Sequence, residues 1–515
     1  MSGLRAIVAM TVCAGSTFGA TWFVDASAPA GGNGLSWSTA FRSPHEALNA
    51  AQAGDEIRIA QGVYKPAGPG GLREATFTLK TDVAVRGGYA GLASATPDLR
   101  DPGMFPTVWS GDLNGNDAPG FVNRADNSLH IATLDLGTQV TLKFLGEAVV
   151  EGVTFRGGES EEGTGLLDRG AALRARAPKG GGLEAAARLT ARGCRFEDSR
   201  ASRGGAVHTE NIVPLFEDCV FEGNAAVTGG GTEHMFMAFF AERPSARYVR
   251  CDFVGNTASS GGGLAHTGQN VVVESCRFLG NVADFGAGFM TPACEDVLIV
   301  NGLFAGNCGV SGAAVFDDGA STTTLVNCTL TGNVGTAAAS FLNGTMIESR
   351  ANKMLALRNC VVWGNEGVQP QVNSFFLEFS HCDVEGGAPG VGNIAMDPGF
   401  VNASGGDFRL RPYSACADAG DSGALSSAIT ADLAGRTRVV DDVLAPGAGV
   451  DMGAYERQEC PGDATGDLIV NFADLNVVLG MYGQAGVGLA GDVDGDGEVG
   501  FADLNAVLGV FGVSC

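Results

Sequence analysis

The sequence predicts a mainly β protein, built as a right-handed parallel β-helix with terminal caps and followed by a small α-helical domain. The first observation is a phrase that returns every 25 or 26 residues, stretched to 32 twice, which indicates stacked structural repeats. The second is that apolar residues come in short β-branched bursts, such as residues 271–273, divided by Gly and Asn. The third is a content of 79 glycines in 515 residues without a collagen period, which suits a turn-rich solenoid.

Each copy of the repeat follows one pattern, seen at residues 219–224 as Cys-Val-Phe-Glu-Gly-Asn before the three glycines of residues 229–231. The Cys and the Phe are two residues apart and point to the same side of a strand, which predicts two columns in the core. The Asn falls at a predicted turn, where asparagine tolerates the left-handed conformation and bonds neighbouring backbone. Gly302 takes the Cys place in one coil, and the predicted Cys column consists of Cys194, Cys219, Cys251, Cys276, Cys328, Cys360 and Cys382.

Three short strands and three turns fill one copy of the repeat, which makes it one coil of a β-helix whose coils stack about 4.8 Å apart. The alternation of Phe-x-x-Asn with small-residue triplets is clearest at Gly204, Gly205 and Ala206. This pattern resembles the repeats of polymorphic outer-membrane proteins and related secreted β-helix proteins. The resemblance covers residues 151–385 and implies the solenoid architecture there, but it implies no activity.

The net charge of the chain and its first 20 residues indicate where the protein is located and which partners it does not bind. The formal net charge of −25 argues against nucleic acid and against an anionic membrane surface as partners. Residues 1–20 are predicted to be a signal peptide, because Arg5 precedes an apolar stretch and small residues follow at Thr17 and Gly19. The later sequence has no run of 18 apolar residues, so no membrane span is predicted. We therefore expect a secreted or cell-surface protein.

The solenoid is predicted to carry a cap at each end. Residues 21–150 are expected to form the N-terminal cap and the first coils, with Ser43 and Pro44 as N-cap and first residue of a helix. Such a helix would cover the open strand edge of the first coil. Residues 386–457 contain a series of Asp-rich turns and resemble the segment that closes many secreted β-helix proteins. We expect them to be the C-terminal cap, with carboxylates that make turns.

Two Asp-rich loops with the spacing of an EF-hand loop lie within residues 460–515. In the second loop, residues 492–503, carboxylates occupy positions 1, 3, 5 and 12, and Gly497 occupies the sharp-turn position 6. The first loop begins 29 residues earlier, with Leu468 at position 6 and Thr465 in place of a carboxylate. Because Ca²⁺ takes six or more hard oxygens, the second loop is predicted to bind the ion more tightly.

Two such loops, each followed by one short helix, resemble a type I dockerin over residues 462–512. The resemblance implies two Ca²⁺ sites and a cohesin-like domain as partner, with backbone carbonyls supplied by Ile469 and Glu498. It implies these side-chain ligands: Asp463, Thr465, Asp467, Asn471, Asp474, Asp492, Asp494, Asp496 and Asp503. The two docking positions of each loop hold Phe and Ala instead of a hydroxyl pair, which leaves a purely structural module as the alternative. Cys460 and Cys515 flank the module and are predicted to form a disulfide.

One column of polar residues is the candidate ligand face of the solenoid. Its members lie thirteen residues after each repeat position: Thr209, His234, His266, Thr291, Asp317 and Asn343. Regular polar spacing suits a repeating polymer, and His266 with Asp317 are the candidate acid/base residues. The alternative interpretation is a solvated strand face without function.

Three functions remain open at this point. The first is attachment without catalysis, through a polysaccharide, a surface protein or a cohesin-like domain. The second is polysaccharide degradation by a hydrolase or lyase, although no Lys or Arg lies between Arg277 and Arg350 to pair a uronate near the candidate column. The third is a purely structural surface or adhesion protein.

Overall fold

The structure is a computed structural model that describes most of the chain. The described residues are 19–136, 146–160, 168–177, 187–235, 245–268, 270–319, 322–336, 347–349, 354–367, 372–373, 376–412, 414–440, 449–458, 460–486 and 489–515. The predicted signal peptide lies almost wholly outside these residues, and Asn343 lies outside them too. None of the described helices is long and apolar enough to cross a bilayer.

Three long parallel sheets form the wall of a solenoid, with one strand of each per coil. Sheet A has 12 strands: Thr21–Val24, Glu56–Ala60, Ala84–Tyr89, Glu147–Glu151, Ala187–Arg192, Ile212–Glu217, Ala246–Val249, Val271–Glu274, Asp296–Val300, Thr322–Val326, Met354–Arg358 and Phe376–Ser380. Sheet B has 11 strands: Gly62–Tyr64, Thr107–Ser110, Val153–Arg156, Arg195–Glu197, Val220–Glu222, Asp252–Val254, Arg277–Leu279, Leu303–Ala305, Thr329–Thr331, Val361–Trp363 and Asp383–Val384. Sheet C has 10 strands: Phe77–Thr78, Ala132–Asp135, Leu173–Arg176, Val207–Glu210, Thr232–Met235, Leu264–Gly268, Phe289–Cys294, Val315–Asp317, Ile347–Ser349 and Val372–Asn373.

Shorter elements complete the molecule. A three-stranded parallel sheet consists of Val282–Phe285, Cys308–Ser311 and Val334–Gly335, and an antiparallel pair consists of Phe400–Asn402 and Asp407–Leu410. Within the described residues, the α-helices are Pro44–Ala50, Phe472–Met481 and Phe501–Gly509, and 3-10 helices include Trp37–Thr39, Gly91–Ala93, Ala403–Gly405 and Ser422–Ala424. The mainly β fold with few helices agrees with the sequence prediction.

The core is built from residues that repeat in register from coil to coil. Sheet B places the repeat phenylalanines inward, and rings of successive coils stack in parallel, as Phe253 and Phe278 do at 4.7 Å between centroids. The predicted Cys column is buried beside them, with free thiols. Because each ring packs on the equivalent ring above and below, one coil specifies the register of the next.

The asparagine column forms a ladder at the turns inside the solenoid and bonds neighbouring backbone, as predicted. Asn281 donates from Nδ2 to the Phe253 carbonyl (2.9 Å) and to the Asn307 Oδ1 (3.0 Å), and the next rungs repeat the pattern. The left-handed residue is the glycine before it, such as Gly280 (φ 62°). A buried turn leaves backbone carbonyl and N–H groups without partners from the sheets. The asparagine side-chain amide supplies both the donor and the acceptor that these groups need.

The N-terminal helix covers the first coil as predicted from Ser43 and Pro44. The Ser43 hydroxyl accepts from the His45 N–H, and Glu46 closes a capping box on the Ser43 N–H. The helix buries Ala47 and Leu48 in the main core. Its apolar side therefore shields the open end of the strands.

The segment of residues 386–457 extends the last coil with its first part and lies along the side of the solenoid with the rest. Only its first part extends the last coil, through a parallel bridge between Ser380 and Val391. The remainder packs on the outer face of sheet B, where outward residues change from charged ones, such as Arg195 and Asp252, to apolar ones that need cover. This contact buries Leu303, Ala305, Val361, Phe400, Phe408, Leu410, Cys416 and Met452.

Polar contacts fix this segment on the solenoid. Three asparagines at left-handed turns between sheets A and B donate from Nδ2 to its carbonyls: Asn301 to Ala431 (2.8 Å), Asn327 to Asp451 (2.9 Å) and Asn359 to Asp421 (3.0 Å). The Ala454 N–H donates to the Thr329 hydroxyl (2.9 Å). The segment is therefore held along three successive coils.

A buried charge group in this segment makes its stability depend on pH. Arg438 lies 3.7 Å from Glu456, and burial raises the pKa of Glu456 to about 8 and that of Asp451 to about 6. The folded state therefore holds protons that the unfolded state releases at lower pH. Their stabilising contribution is complete below about pH 4 and is lost as pH rises through about 6 and 8.

We predict that amide hydrogen exchange in residues 414–440 and 449–458 becomes faster as pH rises from 5 to 9, after correction for the intrinsic rate. The Glu456→Gln variant removes one of the two titrating groups and should flatten this dependence. Equal corrected protection factors at both ends of the pH range would contradict the assignment.

Candidate functional site

The predicted polar column does stack from coil to coil, but it points into the solenoid. Thr209, His234 and His266 pair in register, and Thr291 pairs with Asp317. These five side chains are buried, so they offer no ligand face at the surface, and the predicted exposed column is wrong. The cause is strand parity, because they share the inward side with core residues such as Val207 and Leu264.

The column instead forms buried polar contacts. The Thr209 hydroxyl lies 2.6 Å from His234 Nδ1, and the rings of His234 and His266 stack at 4.7 Å. Burial, together with His266, lowers the pKa of His234 well below its usual value. The candidate acid/base residues His266 and Asp317 are two coils apart, about 10 Å, inside the wall. Their placement gives them a structural role.

A groove of about 680 Å³ runs along the turns between sheets B and C in the early coils. We call it the arginine groove, because three of the four charged residues that line it are Arg73, Arg124 and Arg200. The fourth is Glu159, whose backbone forms a parallel β-bridge with that of Arg200. The groove crosses successive coils, so it is elongated along the solenoid axis.

The loop after the strand Thr107–Ser110 forms one wall of the arginine groove. Phe121 adopts a left-handed conformation (φ 62°), which is uncommon for a bulky residue. Its ring lies 5.1 Å from the guanidinium carbons of both Arg124 and Arg200. This arrangement holds two cations and an aromatic face together at the groove surface.

Hydrogen bonds hold the arginines in place. Arg73 donates to the Asn127 carbonyl (2.7 Å) and the Glu159 carbonyl (3.0 Å), and Arg200 Nε donates to Glu159 Oε1 (2.7 Å). Arg124 pairs with Asp117 at 3.0 Å. Arg124 Nη1 also donates to the Asp198 carbonyl (2.6 Å), and Arg200 Nη2 lies 2.6 Å from Glu159 Oε1, so backbone carbonyls and carboxylates fix the guanidinium groups along the groove.

Burial raises the pKa of Glu159, although the Arg200 hydrogen bond opposes the change. Burial also raises the pKa of Asp117, against the effects of Asn127 and Arg124. Glu159 Oε2 and Asp117 Oδ1 are buried without a protein hydrogen-bond partner. Glu159, which lines the groove, and Asp117, which pairs with the lining residue Arg124, therefore favour protonation more than an exposed carboxylate does.

The arginine groove was not predicted from the sequence. Its residues come from five separated turns, and two of these turns lie in irregular coils before the regular repeat begins. The available signals were the long loop at residues 112–126 and the acidic insert that starts at Glu159. Neither shows which arginines approach, because the coil lengths between Arg73 and Arg200 vary.

The two Asp-rich loops of residues 460–515 each gather carboxylate oxygens. Oxygens of Asp463, Asp467 and Asp474 lie within 4.8 Å of one another, and so do those of Asp492, Asp494 and Asp496. Asp474 and Asp503 also accept backbone N–H groups across their loops, from Thr465 and Val493 respectively. Hard oxygens at this density fit Ca²⁺.

Details of the first loop favour the second one as the better site. Leu468 stands at the sharp turn with φ 69°, whereas the corresponding residue in the second loop is Gly497 with φ 89°. The Thr465 hydroxyl donates to the Asp463 and Asp474 carboxylates. The Asn471 Oδ1 caps the following helix by accepting the Ala473 N–H (2.7 Å).

The remaining predicted features of this region are placed as follows. Ile469 and Glu498 follow Asp467 and Asp496, and each donates its N–H to that carboxylate at 2.9 Å. The structure joins Cys460 to Cys515 by a disulfide. The bond links the two ends of the region, whose small core contains Val470, Val478, Val499 and Val507.

Comparison with known proteins concerns the fold. The family described as right handed beta helix region matches residues 181–374. The crystal structure of pectate lyase Pel9A is 15% identical, covers 86% of this chain and 98% of its own, and has a TM-score of 0.45. The complex of XylC with xylose is 10% identical, covers 85% of this chain and 98% of its own, and has a TM-score of 0.34. A rhamnogalacturonan lyase is 13% identical, with coverages of 74% and 90% and a TM-score of 0.26. No curated protein matches the sequence.

The family match falls on the regular coils, where the three parallel sheets, their inward columns and the left-handed turns repeat in register. The chain is a right-handed parallel β-helix.

Proposed function

We propose that this protein is exported and binds an acidic polysaccharide through the arginine groove, while residues 460–515 bind Ca²⁺ and attach it to a protein partner. The observation that carries the proposal is the arginine groove itself. It is an elongated depression of about 680 Å³ with three arginines and the ring of Phe121. Its volume lies within the range of ligand sites in proteins, about 300–1,000 Å³.

The chemistry of the groove suits a chain of acidic sugars. Guanidinium groups bind carboxylates through paired hydrogen bonds, and an aromatic ring packs on the apolar face of a sugar. The three cations are spread over successive coils, so one extended chain can meet more than one of them. The formal net charge of the whole chain, −25, opposes anions in general, so the three arginines make this groove a local exception where an anion can approach.

We predict that Arg200→Ala lowers the affinity for a uronate oligosaccharide at least about tenfold, because a charge-assisted hydrogen bond contributes about 1.5–3 kcal/mol. The measurement is calorimetry with galacturonate and alginate oligosaccharides. Arg250→Ala is the matched control, since this arginine has a similar exposure (54% against 47%) and pairs with Asp218 outside the groove. Equal affinities for the wild type and Arg200→Ala would exclude the groove.

The Ca²⁺ part of the proposal rests on the two carboxylate groups described above. Asp463, Asp467 and Asp474 would hold one ion and Asp492, Asp494 and Asp496 the other, with Asp503 closing the second loop. A bound ion supplies the positive charge that these crowded carboxylates require. For Asp494, burial together with Asp503 and neighbouring carboxylates raises the pKa, as expected where like charges gather.

A protein partner is supported by the surface of the same region. Phe472 and Phe501, at equivalent positions of the two helices, are 69% and 66% exposed. Residues 460–515 contain eight carboxylates and no Lys or Arg. A cohesin-like domain with an apolar centre and a basic rim would match this surface.

Polysaccharide degradation is the second candidate function, and the raised pKa values of Glu159 and Asp117 favour it. A carboxyl group with a raised pKa is a better general acid than an ordinary exposed carboxylate. Incubation with the same glycans should then release reducing ends or unsaturated uronates, and Glu159→Gln should stop the release. Binding without product in the wild type would leave attachment as the function.

A further inference from the structure

A second groove, of about 820 Å³, lies between the outer face of sheet B and the segment of residues 386–457. Its floor is one outward row of the sheet, in which Leu279, Ala305, Thr331 and Trp363 pair in register from coil to coil. Aromatic side chains of the segment, including Tyr455, form the opposite wall. We call it the Trp363 groove.

We propose that the Trp363 groove binds a neutral polysaccharide segment, independently of the arginine groove. Trp363 is only partly buried, and its indole presents an apolar surface of the size of a sugar ring. Polar side chains for sugar hydroxyls stand on the rim, among them Asn402 and Ser404, both exposed. An apolar aromatic floor with a few polar groups at its edge is typical of a small-molecule site.

The charges of the Trp363 groove indicate a neutral ligand. Arg277 is already neutralised, because it donates two hydrogen bonds to Asp252, from Nε (2.6 Å) and Nη2 (2.5 Å). Arg411 and Asp397 are the other charged residues that line the groove, and they are of opposite sign. The arginine groove, by contrast, has three cations and one carboxylate.

The backbone of the floor argues against an extended peptide as the occupant. A peptide that adds a strand to a sheet needs free backbone donors and acceptors at an edge. Here the ladder already occupies them, because the N–H of Gly306 donates to Thr331 and that of Gly332 donates to Gly364. The Gly364 N–H donates to Glu385 Oε2 (2.9 Å). A sugar chain needs only side-chain surfaces and hydroxyl partners.

The test is calorimetry of the full-length protein with neutral gluco- and xylo-oligosaccharides of four to six units. The wild type should bind at least one series saturably, and Trp363→Ala should weaken this binding about tenfold or more. Arg200→Ala, in the other groove, should leave it unchanged. Absence of saturable binding, or equal binding by Trp363→Ala, overturns the proposal.

A conservative variant keeps the test decisive if Trp363→Ala does not fold. Trp363→Phe retains a ring, so its affinity should stay within about threefold of the wild type. Ligand should change the tryptophan fluorescence of the wild type but not of Trp363→Phe, because Trp37 and Trp109 are buried and Trp22 lies in the first strand of sheet A, away from this groove. A fluorescence change that persists in Trp363→Phe would place the ligand at another site and overturn the proposal.

Discussion

Chelation of Ca²⁺ is expected to unfold residues 460–515 while the β-helix stays folded. The two helices of this region share a small core, and each follows a loop in which three carboxylates crowd together. Without an ion these carboxylates repel one another. An ion at a thousandfold excess over its dissociation constant stabilises the folded state by about 4 kcal/mol per site. Loss of both sites therefore exceeds what so small a core can withstand.

The measurement is proton–nitrogen NMR of the full-length protein before and after addition of EDTA. Resonances of the helices Phe472–Met481 and Phe501–Gly509 should collapse to random-coil positions, and excess Ca²⁺ should restore them. In calorimetry, Asp492→Ala should remove the tighter site and Asp463→Ala the weaker one. Helices that persist in EDTA, or an Asp492→Ala variant that retains the tighter site, would refute the assignment.

Replacement of Asn281 by Ala is expected to destabilise the solenoid by about 4 kcal/mol. The side chain takes part in four hydrogen bonds: Nδ2 donates to the Phe253 carbonyl and to Asn307, and Oδ1 accepts from the N–H and the side chain of Asn256. Each bond contributes about 1 kcal/mol, and the partners left in the interior have no water to replace it. The measurement is the midpoint of urea unfolding.

Asn116→Ala is the control for this variant, because Asn116 is exposed and lies outside the ladder. Its expected effect is below about 0.5 kcal/mol. Asn281→Asp provides a second comparison, since it keeps the shape and the acceptor but loses the two donated bonds. A loss below about 1 kcal/mol for Asn281→Ala would show that the ladder contributes little.

The regular coils could be predicted because their signals are local. The spacing from Phe221 to Asn224 and to the next triplet repeats with every coil, and it fixed the β-helix and its buried columns. It was harder to predict which side of a strand faces the core, since the column that we interpreted as a ligand face lies on the inward side. Polar residues such as His234 gave no hint of burial, because the sequence does not show which of two alternating rows faces inward.

The arginine groove and the position of residues 386–457 required the three-dimensional structure. Both depend on contacts between distant parts of the chain, such as Arg73 with Glu159 and Asn301 with Ala431. The sequence does not show where the irregular coils begin and end, so it does not show which of these residues come together. The two Asp-rich loops are the opposite case, because every proposed side-chain ligand of a loop lies within twelve consecutive residues.

The side-on attachment of residues 386–457 determines where mechanical force enters the molecule. If residues 460–515 anchor the protein and a glycan pulls on the wall, tension passes through the turns at Asn301, Asn327 and Asn359. The load is then shared in shear among three coils at once. Tension on the last coil alone would detach the strands of the solenoid one after another. An anchored protein with this geometry can therefore resist pulling forces that would unravel a solenoid held by its end.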